Sequence, residues 1–147
     1  MSDRPERRPP DHIGADIWRA FKAFEAAMYA DLDAEGFADI SVADSDVLVL
    51  IGPKGTRMTA LAAARRITKQ AAHEQVRSLL ARGYLELGPD PTDGRAKIVR
   101  LTDQGDALVK VLDAAKMDLH ARVTARIGTH GMAQLKALLA DVETLLR

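Results

Sequence analysis

Cysteine is absent from this chain of 147 residues, aromatic residues make up only 4% of it, and its positive and negative charges cancel. Without cysteine there is no disulfide bond, thiolate nucleophile, cysteine-ligated zinc or thiol redox switch. No apolar run approaches the ~18 residues of a membrane span, and the first residues lack the pattern of a secretion signal. We therefore expect a cytoplasmic protein, and 47% hydrophobic residues suffice for one domain.

The zero net charge conceals one basic segment. Residues 1–53 carry five Lys and Arg against eleven Asp and Glu, whereas residues 101–147 carry six of each. Residues 54–100 carry ten cations against four acids, a net charge of +6. Because a phosphate backbone responds to cations close to it and not to the charge of the whole chain, this segment favours a nucleic-acid partner. The alternative is a solvated basic face.

Hydrophobic spacing predicts two helices before this segment. Apolar residues recur at three- and four-residue steps over residues 13–32 and predict a long first helix that ends near Gly36. A second helix, capped by Ser41 or Ser45 and containing the apolar residues up to position 51, must end before Pro53.

The basic segment itself has the order helix, turn, helix and β-hairpin, which is the order of a winged helix-turn-helix. An alanine-rich stretch, residues 59–67, predicts a helix, and Thr68 then suits the N-cap of a helix over 68–82 that ends at Gly83. Extended runs follow at 84–87 and 97–101, and the turn-forming residues between them predict a hairpin with a long, proline-stiffened tip at 89–95.

Eight polar residues of this segment are the expected DNA contacts: Thr68, Lys69, Gln70, His73, Arg77, Asp93, Arg95 and Lys97. Lys69 and Arg77 can neutralise phosphates or bind guanine, and Gln70 can bind adenine with two hydrogen bonds. Arg95, at a projecting turn, has the position from which an arginine enters the minor groove, and Asp93 can orient its guanidinium. The alternatives are a helix face covered by polar side chains and an exposed ion pair in a turn.

The two helices that follow Thr102, broken at 128–131, have more apolar face than a winged helix needs. We therefore expect a homodimer in which the terminal helices pack against a second copy. Five aromatic residues lie in the N-terminal half: Trp18, Phe21, Phe24, Tyr29 and Phe37. Aromatic residues at helical spacing are typical of a core, so we interpret them in that way and assign no effector-binding residue.

Catalysis is not indicated by any pattern in the sequence. The four histidines are scattered, and no acidic cluster or pair with metal-ligand spacing accompanies them. The stretch 52–56 has residues of a phosphate loop in the wrong order and is better explained as a turn. We expect neither an enzyme nor a cofactor or metal. A winged helix that binds protein, or binds DNA without sequence preference, is the competing hypothesis.

The stretch from Thr59 to Gly105 resembles the core of the multiple-antibiotic-resistance regulator (MarR) family, without a gap. The matching residues are Leu61-Ala62, Thr68-Lys69-Gln70, Leu79 with Gly83, the wing Pro89-Asp90-Pro91-Thr92-Asp93-Gly94-Arg95, and Leu101-Thr102 with Gly105. The resemblance implies a mostly α fold with a small β-hairpin wing and a homodimer built on the first and the last two helices. It also implies that each winged helix reads half of a pseudo-palindromic operator on double-stranded DNA, with recognition helix 68–82 in the major groove and wing 88–96 in the minor groove.

The resemblance further implies a transcription regulator, most often a repressor, that a small aromatic or anionic effector releases from DNA, and that Asp93 holds Arg95 in the minor groove. The expected domains are an arm at 1–12 that we predict to be disordered, a dimerisation helix and link at 13–40, a DNA-binding lobe at 41–101 and dimerisation helices at 102–147. Leu87-Gly88 and Gly94 depart from the family, in which basic residues are common there. We therefore expect a less basic wing and a larger share of recognition for the helix.

Overall fold

The computed structural model describes residues 12–147, and at Arg95 it describes the backbone alone. The elements follow in the order α1 (Ile13–Ala34), α2 (Val42–Leu48), β1 (Thr56–Arg57), α3 (Met58–Arg65), α4 (Lys69–Ala81), β2 (Leu85–Asp90), β3 (Asp93–Leu101) and α5 (Asp103–Leu145). They confirm the predicted fold class, mostly α with a small β-sheet wing. Residues 32–117 form one compact unit, and the terminal segments 12–31 and 118–147 form another. The predicted arm at 1–12 lies almost wholly outside the described residues.

The start of α2 is fixed by a capping box. The Ser41 hydroxyl accepts a hydrogen bond from the backbone N–H of Asp44 at 3.2 Å, and the Asp44 carboxylate accepts one from the backbone N–H of Ser41 at 3.0 Å. Of the two predicted caps, Ser41 is therefore the one that the chain uses. The helix ends at Leu48, earlier than predicted, and Ile51 is buried in the turn that follows it.

The pair α3 and α4 forms the predicted helix-turn-helix. Thr68 has extended backbone angles, and its hydroxyl accepts a hydrogen bond from the backbone N–H of Ala71 at 3.1 Å, so it is the N-cap that the sequence predicted. The turn before it contains Arg66 in the left-handed conformation.

The wing is an antiparallel sheet of three strands in the order β1-β3-β2. The prediction of a long hairpin tip at 89–95 is wrong, because β2 and β3 continue to Asp90 and from Asp93, which leaves a two-residue turn. Pro89 lies in β2, which is an edge strand, the kind of strand to which proline in a sheet is largely confined. Strand β1 was not predicted. Gly55, at φ +90°, makes it possible, since a Cβ there would lie 2.6 Å from Ile98 Cδ1.

The sheet is joined to α5 by a close backbone contact. The Thr102 hydroxyl donates its hydrogen to the Gly83 carbonyl at 2.6 Å and accepts from the backbone N–H of Gly105 at 3.1 Å, which makes Thr102 the N-cap of α5. A Cβ at Gly105 would lie 2.1 Å from the carbonyl oxygen of Tyr84. Only glycine fits at that position.

Helix α5 is broken at Gly128, whose angles, φ 76° and ψ 162°, are not helical, as the sequence predicted. In the unit of residues 12–31 and 118–147, most large apolar side chains are exposed. The interpretation of the aromatic residues as core is wrong for Trp18, Phe21 and Phe24, whose exposed fractions are 64%, 56% and 38%. Their helical spacing is real, but the single chain does not cover the face on which they lie. No helix among the described residues has both the length and the apolar composition needed to cross a lipid bilayer.

Candidate DNA interface

Helix α4 has two distinct faces. Ala72, Val76 and Leu79 are at most 2% exposed and anchor the helix on the core. The predicted DNA contacts Lys69, Gln70, His73 and Arg77 are all exposed, and so is Glu74. The 3.6-residue period places these residues together on the side away from the core, and we call this set the α4 outer face.

Two contacts modify the α4 outer face and its first turn. Gln70 Nε2 donates to Glu74 Oε1 at 3.4 Å, so the amide that we predicted to bind adenine already has a partner along the helix. The Thr68 hydroxyl accepts from Ala71 but keeps its own hydrogen for donation. A hydrogen bond from this hydroxyl to a phosphate oxygen is therefore compatible with its role as the helix cap.

The ten cations of the basic segment do not all serve one surface. Arg65 donates through Nη1 to the Ala43 carbonyl at 3.4 Å and to the Gln75 side chain, and through Nη2 to Asp46 Oδ2 at 3.2 Å. Its side chain is only 15% exposed. This arginine therefore joins α2 to the middle of α4 and stabilises the helix-turn-helix.

Arg82 makes a second brace at the C-terminal end of α4. It donates to the Asp39 carbonyl at 2.9 Å and to Asp44 Oδ1 at 2.8 Å, and its guanidinium lies 5.8 Å from the centre of the Tyr84 ring. Burial acts to raise the pKa of Asp44, but hydrogen bonds from Arg82 and Ser41 outweigh it and leave this pKa below its usual value. The Tyr84 hydroxyl donates to Asp39 Oδ1 at 2.8 Å and ties the start of the wing into the same cluster.

The wing turn is held by Asp90, a buried carboxylate. Asp90 accepts hydrogen bonds from the Thr92 hydroxyl at 2.7 Å, from the Thr92 backbone N–H at 2.8 Å and from Arg57 Nε at 2.5 Å. These bonds, those from Thr92 first, lower the pKa of Asp90 to about 2. Arg57 thus joins β1 to the turn. Sequence reasoning missed Arg57, Arg65 and Arg82 as structural residues because their partners lie 10 to 43 positions away.

The three predicted wing contacts, Asp93, Arg95 and Lys97, all lie on β3, whose pairing with β2 is irregular between Asp93 and Lys97. In the ladder, Asp93 is opposite Asp90 and Lys97 is opposite Pro89. Asp93 and Lys97 are exposed. The predicted contact between Asp93 and the guanidinium of Arg95 lies outside the described side chains.

Gly88, one of the positions at which the sequence departs from the MarR family, lies beside the side chain of Arg100. A Cβ on Gly88 would lie 3.1 Å from Arg100 Nη1 and 3.2 Å from Arg100 Cζ. The guanidinium of Arg100 therefore lies against the backbone of the neighbouring strand at Gly88. Arg100 on β3 thus places a cation next to Gly88 on β2, which has no side chain of its own.

Comparison with known proteins agrees with this geometry. Residues 38–96 match the sequence model described as MarR family. The chain is also 26% identical over 91 residues to the uncharacterized HTH-type transcriptional regulator YdgG of Bacillus subtilis (strain 168). That alignment spans 60% of this chain and 60% of the length of that protein. The match to the MarR family model covers the winged helix, the part of the chain in which the sequence resembles that family.

Solved structures extend the likeness of the fold to most of the chain. CouR from Rhodococcus jostii RHA1, bound to p-coumaroyl-CoA, superposes with a TM-score of 0.70 at 24% identity, covering 93% of this chain and 95% of CouR. A mutant MarR from E. coli, complexed with operator DNA, gives a TM-score of 0.70 at 24% identity, covering 88% of this chain and 92% of that one. At these identities the likeness establishes the fold.

Proposed function

We propose that this protein is a sequence-specific, double-stranded DNA-binding transcription regulator that acts as a homodimer. The observation that carries the proposal is the α4 outer face: a polar, partly cationic helix surface on a helix whose opposite side is buried. Arg65 braces this helix at its middle and Arg82 braces it at its C-terminal end. A rigid helix with this surface suits entry into the major groove. A structural neighbour adds support, because it was solved in complex with operator DNA.

Each predicted contact has a specific role in this proposal. Gln70 and His73 read base edges, whereas Lys69, Arg77 and the Thr68 hydroxyl bind phosphates or, for the two cations, guanine. On the wing, Arg95 enters the minor groove with Asp93 beside it, and Lys97 binds the adjoining phosphate backbone. The chain acts by binding, without catalysis of its own.

The homodimer is supported by the terminal helices. Twelve large apolar side chains are exposed in the terminal segments: Ile13, Ile17, Trp18, Phe21, Phe24, Val123, Ile127, Leu135, Leu138, Leu139, Leu145 and Leu146. An apolar surface of this extent is typical of a protein interface. We propose that a second copy covers it, and that residues 13–40 and 102–147 serve dimerisation while 41–101 bind DNA. A mass of one chain in light scattering at micromolar concentration would contradict the dimer.

We further propose that the regulator is a repressor and that a small aromatic or anionic effector releases it from DNA. The support is the neighbour bound to an aromatic acyl-CoA. Titrating p-coumaroyl-CoA into the protein–DNA complex tests this effector class first, with free coenzyme A as the control. No release by aromatic acyl-CoAs and aromatic acids alike would contradict the effector proposal, and it would leave DNA binding unaffected.

Selection of bound fragments from genomic DNA tests the central proposal. We expect a common, nearly palindromic motif whose half-sites are about one helical turn apart, since a twofold dimer presents two recognition helices at that spacing. Fragments without a common motif would favour binding without sequence preference, and no enrichment at all would favour a protein partner. The control is a variant with both Lys69 and Arg77 changed to Ala, which should enrich nothing.

A further inference from the structure

Arg66 has a backbone conformation that arginine rarely adopts. Its φ of 52° and ψ of 39° are left-handed, and it is the only non-glycine residue with positive φ in the described part of the chain. The conformation closes α3: the N–H of Arg66 donates to the Ala63 carbonyl and the N–H of Ile67 to the Ala62 carbonyl, both at 3.1 Å. Helices that end in this way usually have glycine at this position, because a Cβ is strained there.

The side chain of Arg66 makes no contact that would compensate for this strain by stabilising the fold. It is exposed, and within residues 12–147 its guanidinium makes no hydrogen bond or ion pair. Its neighbour Arg65 provides the contrast, being mostly buried and bonded to Ala43 and Asp46. A strained residue that does not stabilise the fold points to a role in binding.

The position of Arg66 indicates which ligand it meets. It lies in the turn between α3 and α4, two residues before the N-cap Thr68 and three before Lys69, the first residue of α4. When the start of a recognition helix reaches the base edges, the preceding turn passes close to the phosphates beside those bases. We propose that Arg66 is a DNA-backbone contact that binds a phosphate flanking the bases read by α4. This inference rests on the proposed function.

The variant Arg66→Gly separates the two roles of the residue. It removes both the strain and the cation, so we expect an unfolding temperature no lower than that of the parent and higher by up to about 2–4 °C. Affinity for the selected DNA site should fall about three- to tenfold at low salt, and the slope of log affinity against log salt should decrease by about one. Fluorescence anisotropy over a series of salt concentrations and a thermal melt give both readouts.

Two matched variants at the same position keep the test decisive. Arg66→Lys retains the charge and should retain the salt slope, whereas Arg66→Asn tolerates the left-handed backbone without charge and should lose affinity as the glycine variant does. Arg65→Ala should lower the unfolding temperature instead, because Gln75 and Asp46 lose their donor.

The outcomes are distinguishable. If the parent binds its selected site and Arg66→Gly and Arg66→Asn bind it with the same affinity and salt slope, the inference is overturned and the proposed function stands. If the parent binds no DNA, the proposed function itself has failed. If Arg66→Gly loses both its affinity and its helical circular dichroism, the comparison of Arg66→Lys with Arg66→Asn decides. Equal salt slopes for these two variants would contradict the inference.

Discussion

Residues 32–117 and the two terminal segments, 12–31 and 118–147, distribute their apolar side chains in opposite ways. Apart from Leu119, every buried apolar side chain of the described residues lies in 32–117, where α2, α3, α4 and the sheet meet. Most of the exposed large apolar side chains lie in the terminal segments. The first region covers its own apolar side chains, whereas the second leaves most of its large apolar side chains exposed. This is the difference that the proposed dimer explains.

The sharpest test of this difference compares two leucines. Leu79→Ala removes a side chain with no exposed area from the core of 32–117, and we expect the free energy of unfolding to fall by about 2–5 kcal/mol in urea denaturation. Leu138, 63% exposed, should act through association instead. Its change to Ala should raise the dimer dissociation constant about tenfold in analytical ultracentrifugation, which corresponds to about 1.4 kcal/mol. An unchanged dissociation constant would show that the exposed face is not the interface.

The brace at Arg82 should have the next largest effect. Arg82→Ala leaves the Asp44 carboxylate without its charged donor and removes the cation near Tyr84, so we expect a loss of about 2 kcal/mol in the free energy of unfolding. The control is Arg77→Ala on the α4 outer face, which should change stability by less than about 0.5 kcal/mol. Equal losses for both arginines would contradict the division of the basic segment into bracing and DNA-facing cations.

Within α4, stability and recognition should be separable. Gln70→Ala should leave the melting curve unchanged. It should reduce the discrimination between bases at one position of the site by about 1–3 kcal/mol. Lys69→Ala should lower affinity for all sequences and reduce the salt slope by about one. Binding assays on single-base variants of the selected site distinguish the two. If both variants changed affinity uniformly, the assignment of Gln70 to base reading would be wrong.

The smallest expected effect concerns pH and the wing turn. Because hydrogen bonds lower the pKa of Asp90 in the folded state to about 2, its stabilising contribution is complete above the usual aspartate pKa of about 3.9 and is lost as the pH falls towards 2. Thermal melts of the parent and of Asp90→Asn should therefore converge over that interval and differ by a constant amount above it. If the unfolding temperatures of the parent and of Asp90→Asn differed by the same amount at every pH, Asp90 would be excluded as the group responsible for the pH dependence.

The sequence predicted what local pattern determines. The two faces of α4 follow from the spacing of Ala72, Val76 and Leu79, and its start follows from the side-chain chemistry of Thr68. Strand β1 was not predictable in this way, because two residues become a strand only through pairing with β3. The exposure of Trp18 was not predictable either, because the spacing of apolar residues defines a helix face but does not indicate whether the same chain buries that face. The ion pairs of Arg57 and Arg82 join residues far apart in sequence and carry no local signal.

The close approach of the Tyr84 carbonyl oxygen to Gly105 limits how this protein can evolve. Any missense change in codon 105 adds at least one methyl group at a point that has no room for it, directly where the wing meets the first turn of α5. Neighbouring surface codons can drift, and residues of the α4 outer face can change as the DNA target changes. Codon 105 has no such freedom, so descendants of this gene that diverge in what they recognise are expected to share this one glycine.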